Sequence, residues 1–214
     1  MKLINRLGVL TLLIIIGGLA GSFGCWPRPP EQARPVPQPP AKEATAETYL
    51  PLKPGNFWDY RGEGYAHAEY DDRVLFREGN LVQLKRANPG TTLAFIYEVT
   101  EDSITRVFSE EGFYEEKNLL AAFKENQREI ILKRPFKVGT TWSAGERTYT
   151  IVETNATVTT PAGTFKDCLK IHSTFKAGEH EIFQYYAPNV GMVKSEFRAK
   201  ESKIIAELRE YKVQ

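Results

Sequence analysis

From Tyr49 to the C terminus the chain is cut into β-forming runs of five to eleven residues, separated by Gly, Pro, Asn and Asp. That punctuation fixes the fold class before any other feature is considered, because each run is long enough for a strand and too short for a helix with a continuous apolar stripe. Such runs occupy 56–62, 73–77, 81–85, 92–100, 103–109, 112–116, 128–133, 147–153, 156–160, 164–174, 179–186, 192–197 and 203–211. The punctuation at 78–80 and 101–102 suits tight hairpins. Apolar residues Leu119, Leu120 and Phe123 make 116–125 the one helical candidate. The expected fold is therefore mainly β: a curved antiparallel sheet or an open or closed β-barrel with at most one short helix.

One octapeptide occurs twice. Pro51-Leu52-Lys53-Pro54-Gly55-Asn56-Phe57-Trp58 returns 84 residues later as Pro135-Phe136-Lys137-Val138-Gly139-Thr140-Thr141-Trp142. The shared pattern reads as a proline-bounded turn, a glycine free to take positive φ, and a tryptophan opening the next strand. Two copies hint at two related halves within a single β-rich domain spanning 49–214.

The residues ahead of that domain read as an address and a tether. Lys2 and Arg6 precede an apolar run from Leu7 to about Ala20, followed by small residues, which is the order of an export signal over 1–24. Ser22-Phe23-Gly24-Cys25 resembles the lipobox of bacterial lipoproteins, and the resemblance implies cleavage before Cys25 and lipid attachment to its thiol. Cleavage after Ser22 by an ordinary signal peptidase, or retention of 7–26 as one span, are the alternatives. All three place the domain outside the cytoplasm. Residues 25–48 then form a lipid-anchored linker, since 26–48 hold seven of the 13 prolines and almost nothing to bury. The expected location is the cell membrane, with the domain facing outward.

The search for chemistry centres on Thr160-Pro161-Ala162-Gly163-Thr164 and the strand that follows, FKDCLKIHSTF. Pleat alternation puts Phe165, Asp167, Leu169, Ile171, Ser173 and Phe175 on the core face, with Lys166, Cys168, Lys170, His172 and Thr174 on the other. Cys168 and His172 then lie about 13 Å apart at roughly 3.3 Å per residue, too far for a thiol–imidazole pair. A two-residue loop at 177–178 would pair Phe175 with His180 and leave His172 on the opposite face, so no shared metal ion is expected. His67 stands alone. With two cysteines, Cys25 and Cys168, neither a zinc-type set nor a disulfide framework can be built. No nucleophile elbow, phosphate loop or His-Glu-x-x-His helix occurs. Acidic neighbours such as Asp71-Asp72 read as solvated surface. Catalytic residues, cofactors and metals are therefore not expected. The charge balance, 28 basic against 27 acidic residues, offers no basic stripe for nucleic acid.

The two repeated turns, Pro161-Ala162-Gly163-Thr164-Phe165 with Cys168, and Tyr185-Tyr186-Ala187-Pro188-Asn189-Val190-Gly191-Met192-Val193 occur in that order. In combination they resemble a family of uncharacterised bacterial envelope lipoproteins. The resemblance implies an extracytoplasmic β-rich domain and carries no activity. The leading expectation is a non-enzymatic module, tethered to the membrane through Cys25, that binds an apolar ligand, an envelope component or a partner protein. Trp58, Trp142, Tyr185 and Tyr186 are its candidate contacts. A carboxylate-based envelope hydrolase and a purely structural domain are the alternatives.

Overall fold

A computed structural model describes residues 44–65, 68–176, 178 and 180–214. The chain divides into two units, Met1–Ala41 and Lys42–Gln214, and every described residue belongs to the second. The signal, Cys25, most of the linker and His67 lie outside the described residues.

The domain is nearly all β. Its strands are β1 (Phe57–Glu63), β2 (Tyr70–Glu78), β3 (Leu81–Ala87), β4 (Thr92–Val99), β5 (Ser103–Glu111) and β6 (Glu129–Lys133), then β7 (Thr141–Ala144), β8 (Arg147–Thr160), β9 (Gly163–Phe175), β10 (His180–Ala187), β11 (Gly191–Ala199) and β12 (Lys203–Lys212). They form one 12-stranded antiparallel sheet in the order β6-β5-β4-β3-β2-β1-β12-β11-β10-β9-β8-β7. Two six-stranded meanders are thus joined by the β1–β12 ladder. The sheet curls until β6 and β7 face each other, giving a nearly closed barrel. No ladder joins those two strands among the described residues; the Trp142 indole N–H crosses the gap instead, donating to the Ile130 carbonyl at 2.9 Å.

The repeated octapeptide opens each meander and builds the same turn twice. Gly55 and Gly139 take φ of +87° and +90°. Their N–H groups donate to Val74 and Ile151 carbonyls, both at 2.9 Å. The next residue in each copy, Asn56 or Thr140, returns its side chain to the Pro51 or Pro135 carbonyl, at 2.6 and 2.7 Å. The tryptophans differ only in what they reach: Trp58 donates its indole N–H to the Val190 carbonyl at 2.6 Å, across the β1–β12 junction. Each tryptophan therefore fastens its own half to the other.

Gly191 is where Trp58 lands. Its φ is +114°, and a Cβ there would sit 2.9 Å from the indole nitrogen. This accounts for the bend between β10 and β11, where Asn189 also takes positive φ and donates its N–H to the Thr48 carbonyl at 2.6 Å. That carbonyl belongs to α1 (Ala46–Tyr49), the only α-helix among the described residues. Ala46 and Leu52 are fully buried, and the Ala46 N–H donates to the Glu101 carbonyl in the β4–β5 turn. α1 and its flanks thus plug the barrel end that carries the β2–β3, β4–β5, β6–β7, β8–β9 and β10–β11 connections. Among the described residues no helix is long and apolar enough to cross a membrane. The outward rows of the sheet carry ion pairs such as Arg209–Asp59 and Lys194–Glu207.

Several local expectations change. Residues 112–116 are not a strand and 116–125 are not a helix. Together they belong to a long β5–β6 connection wrapped over the outside of the sheet. Leu119, Leu120 and Phe123 do bury, against Ile96, Val107 and Phe108. The backbone there is held by the buried Gln83 side chain, which donates to the Lys117 carbonyl and accepts from the Leu119 N–H. Only one turn is helix-like, with the Phe123 N–H on the Leu119 carbonyl. The runs 147–153 and 156–160 fuse into β8, and the short β7 lies where no run was expected.

The turn geometry makes a matched comparison. Gly139→Ala has open space for its methyl group and should lose about 1–2 kcal/mol from positive φ alone. Gly191→Ala adds a clash with Trp58, so urea denaturation should show a larger loss, about 3 kcal/mol in all.

Candidate functional site

The inward rows of the barrel do not fill it. A cavity of about 370 Å³ remains, with Leu50 and Trp58 toward the plugged end. Its other lining residues include Tyr70 and Arg147, which open β2 and β8, and Arg86, Glu129, Phe197 and Ile204 near the same ends of their strands. The charged part of the lining thus lies toward the end opposite α1.

Its walls are aromatic and charged together. Trp58, Tyr60, Tyr97, Tyr149 and Tyr186 all line it and are almost fully buried. The Tyr60 hydroxyl donates to the Met192 carbonyl at 2.9 Å. Burial pushes the Tyr60 and Tyr186 hydroxyls well up from their ordinary range and raises that of Tyr97, so they remain neutral.

Two ion-paired groups cross this wall. In the first, Arg86 grips Asp72 with two parallel bonds of 2.7 Å and lies over the Tyr70 ring, 4.0 Å from its centre. Burial alone would lower the Arg86 pKa; the Asp72 carboxylate and neighbouring tyrosines outweigh it and hold the guanidinium charged. In the second, Glu129 at the start of β6 accepts from Arg106 on β5 and from the Tyr149 hydroxyl and Arg147 on β8. The Arg147 bond measures 3.3 Å. Burial would raise the Glu129 carboxyl, yet Arg106, the Tyr149 hydroxyl and Arg147 together hold it below the usual carboxylate range. Burial and Glu129 in turn push Tyr149 up to about 12. Since β5 and β6 belong to one half and β8 to the other, this cluster is also a fastening across the β6–β7 gap.

The four aromatic contacts expected from sequence are not brought together. Trp58 and Tyr186 line the lumen. Trp142 is packed in the gap, stacked on Tyr149 with ring centres 5.4 Å apart. Tyr185 points outward beside Lys170. The charged lining was missed: Asp72 sits inside while Asp71 points out, so the pair is not solvated surface as read. Its signal was pleat parity, since Asp72 lies two residues from Tyr70 and Val74, and Arg86 two from Leu84.

Pleat parity also breaks within β9. Asp167 takes φ of +55° and inserts an extra residue into β9, which pairs Cys168 with Ala156 but Phe165 with Val158. Cys168 is consequently fully buried and Asp167 exposed, the reverse of the expected facing. Burial and the adjacent Asp167 push the Cys168 thiol up to about 11, so it is not activated. His172 stacks on Phe183 and meets Glu181 at 3.0 Å, while His180 packs against Phe175 and Phe197. Among the described residues no group of three or more His, Cys, Asp or Glu is placed to hold a metal ion.

Residues 123–208 match the DUF3108-like family, a stretch that runs from the end of the β5–β6 connection into β12. No curated protein matches the chain significantly. Two solved structures resemble it at 16% identity. One is a candidate exported protein with a YmcC-like fold from Bacteroides fragilis, with a TM-score of 0.44 over 77% of this chain and 99% of that one. The other is a candidate lipoprotein from Parabacteroides distasonis, with a TM-score of 0.48 over 80% and 100%.

The pH dependence of stability tests the Glu129 cluster. A carboxyl held below its unfolded value, near 4.3, stabilises fully above that value and loses its contribution as pH falls through the folded one. Wild type should weaken between about pH 5 and 3, whereas Glu129→Gln should start about 3 kcal/mol lower at pH 7 and lose less over that interval. Urea midpoints across the range measure this, and equal acid limbs would remove Glu129 from the account.

Proposed function

We propose that the chain is a membrane-tethered, extracytoplasmic binding module, and that the barrel lumen is its binding site rather than a place of catalysis. The observation that carries this reading is the cavity itself, at the lower end of the roughly 300–1,000 Å³ common for ligand pockets. Its lining joins buried aromatic rings to a few convergent polar groups, the composition such pockets use for shape and orientation. The charge in the lining suits a small amphipathic envelope component better than a bare acyl chain, because an apolar tail would leave those groups unsolvated. Export and tethering are supported by the signal-like start, Gly24-Cys25 and the proline-rich linker.

A hydrolase remains the second reading because Asp72 and Glu129 share one cavity. It fits less well. A general acid needs a carboxyl whose pKa is raised toward the working pH, and Glu129 is pushed the other way. Asp72 is locked by two bonds to Arg86.

Small aromatic compounds added to the protein should shift NMR signals of the Trp58 indole and Tyr186 while leaving outward Tyr185 and Lys170 unchanged. Shifts confined to the outer residues would move the site out of the barrel. Turnover of chromogenic glycosides or esters that collapses in Glu129→Gln would favour the hydrolase instead. For the tether, Cys25→Ser should release the protein from the membrane fraction in cell fractionation; retention of the variant there would count against lipid attachment at Cys25.

A further inference from the structure

Resting on the reading of the lumen as a binding site, we infer that its ligand carries an anionic group, a carboxylate or phosphate, seated between Arg106 and Arg147. Its apolar remainder lies against Trp58, Tyr60 and Tyr186. The argument begins with the distribution of charge. Five charged residues line the cavity, three of them arginines (Arg86, Arg106, Arg147) against Asp72 and Glu129. The surplus is localised. Arg86 and Asp72 form a closed pair, with both carboxylate oxygens used by two guanidinium nitrogens at 2.7 Å. Glu129 has to serve the other two arginines at once, Oε2 facing Arg106 and Oε1 facing Arg147 and the Tyr149 hydroxyl. One negative charge set between two guanidinium groups leaves one positive charge uncompensated on the β5–β6–β8 side of the lumen.

The donors there are also incompletely used. Arg106 Nε is buried and has no hydrogen-bond partner, a costly arrangement for a charged group away from bulk water. Arg147 holds Glu129 through one terminal nitrogen at 3.3 Å, at the long end of hydrogen-bonding distance. A guanidinium offers a planar fork of donors that fits the paired oxygens of a carboxylate or phosphate. A cationic ligand would find no free partner, since both lumen carboxylates already serve arginines. The surrounding tyrosines are neutral, so they add no competing negative charge.

The test uses the full chain in a non-ionic detergent at fixed ionic strength. It is titrated with benzoate, with its neutral relative benzamide, and with inorganic phosphate, while NMR follows the Trp58 indole and Tyr186. Benzoate should bind roughly tenfold or more tightly than benzamide, and Arg147→Gln should remove most of that difference. Glu129→Gln frees both arginines from their shared partner and should tighten benzoate several-fold, a gain that a poorly folded variant would not give. Phosphate that displaces benzoate indicates a soluble anion as the natural ligand. Binding confined to phosphatidylglycerol vesicles, and lost in Arg147→Gln, indicates a lipid headgroup carrying the same chemistry. Equal affinity for benzoate and benzamide within the lumen overturns the anion while keeping the binding site. Absence of any lumen shift with either compound, together with no Arg147-dependent binding to those vesicles, overturns both.

Discussion

The barrel depends on one unsatisfied edge. Between β1 and β12 the two halves share a ladder of backbone hydrogen bonds, and between β6 and β7 they share none among the described residues. An exposed strand edge is a hazard, because its free N–H and C=O groups recruit other strands. Here both edge strands are short, of five and four residues, and the gap between them is spanned by side chains. The Trp142 indole reaches the Ile130 carbonyl, and Glu129 collects Arg106 from its own half and Arg147 and Tyr149 from the other. Removing one member of such a cluster leaves an uncompensated charge behind. The edge is therefore closed by a few groups that act together, where the opposite junction spreads its strength over a whole ladder.

That contrast follows from the repeated turn. Each copy begins a six-stranded meander, fixes its glycine at positive φ, and points a tryptophan across to the other half. At the β1 copy, Trp58 lands on the backbone at Val190 and Gly191, and the strands beneath it pair in full. At the β7 copy, the tryptophan lands on the β6 backbone itself, so the indole occupies the place a ladder bond would take. The same local sequence thus yields a continuous junction on one side and a side-chain junction on the other. The difference arises from the strands each copy meets, not from the turn.

This division also explains what the sequence made legible. Turns, hairpins and strand positions depend on residues a few places apart, so the punctuation located nearly every strand, and the Pro-Gly-Trp pattern was readable as a turn. The Thr174–Glu181 pairing in β9–β10 gives the register that separates His172 from His180. Facing failed where one backbone torsion intervened: Asp167 at positive φ turned Cys168 inward, and nothing in FKDCLK announces a bulge. The stripe at 119–123 is apolar, as its residues indicate, but not helical, because the Gln83 side chain that satisfies its backbone lies some 36 residues earlier. The charged lining was hidden for a third reason. Asp72 and Arg86 share pleat rows with Val74 and Leu84, so parity alone points them inward, but that those rows enclose one cavity with Glu129 follows only from barrel closure.

Closure and the lining of the cavity draw on the same groups. Placing charge inside a barrel costs desolvation that apolar residues of equal volume would avoid, so a lumen built only for stability would be filled and dry. This one keeps a cavity, three arginines and two carboxylates, and it spends one of those carboxylates on holding the two halves together. Arg147 is the point of overlap, since it fastens β8 to Glu129 and also faces the open volume. An occupant that drew on Arg147 would share a guanidinium with the seam, and its binding energy would depend on how firmly Glu129 holds its place. The geometry of the edge thus sets the chemistry of the cavity, because the carboxylate that replaces a ladder at β6 is the one that leaves the arginines only partly answered.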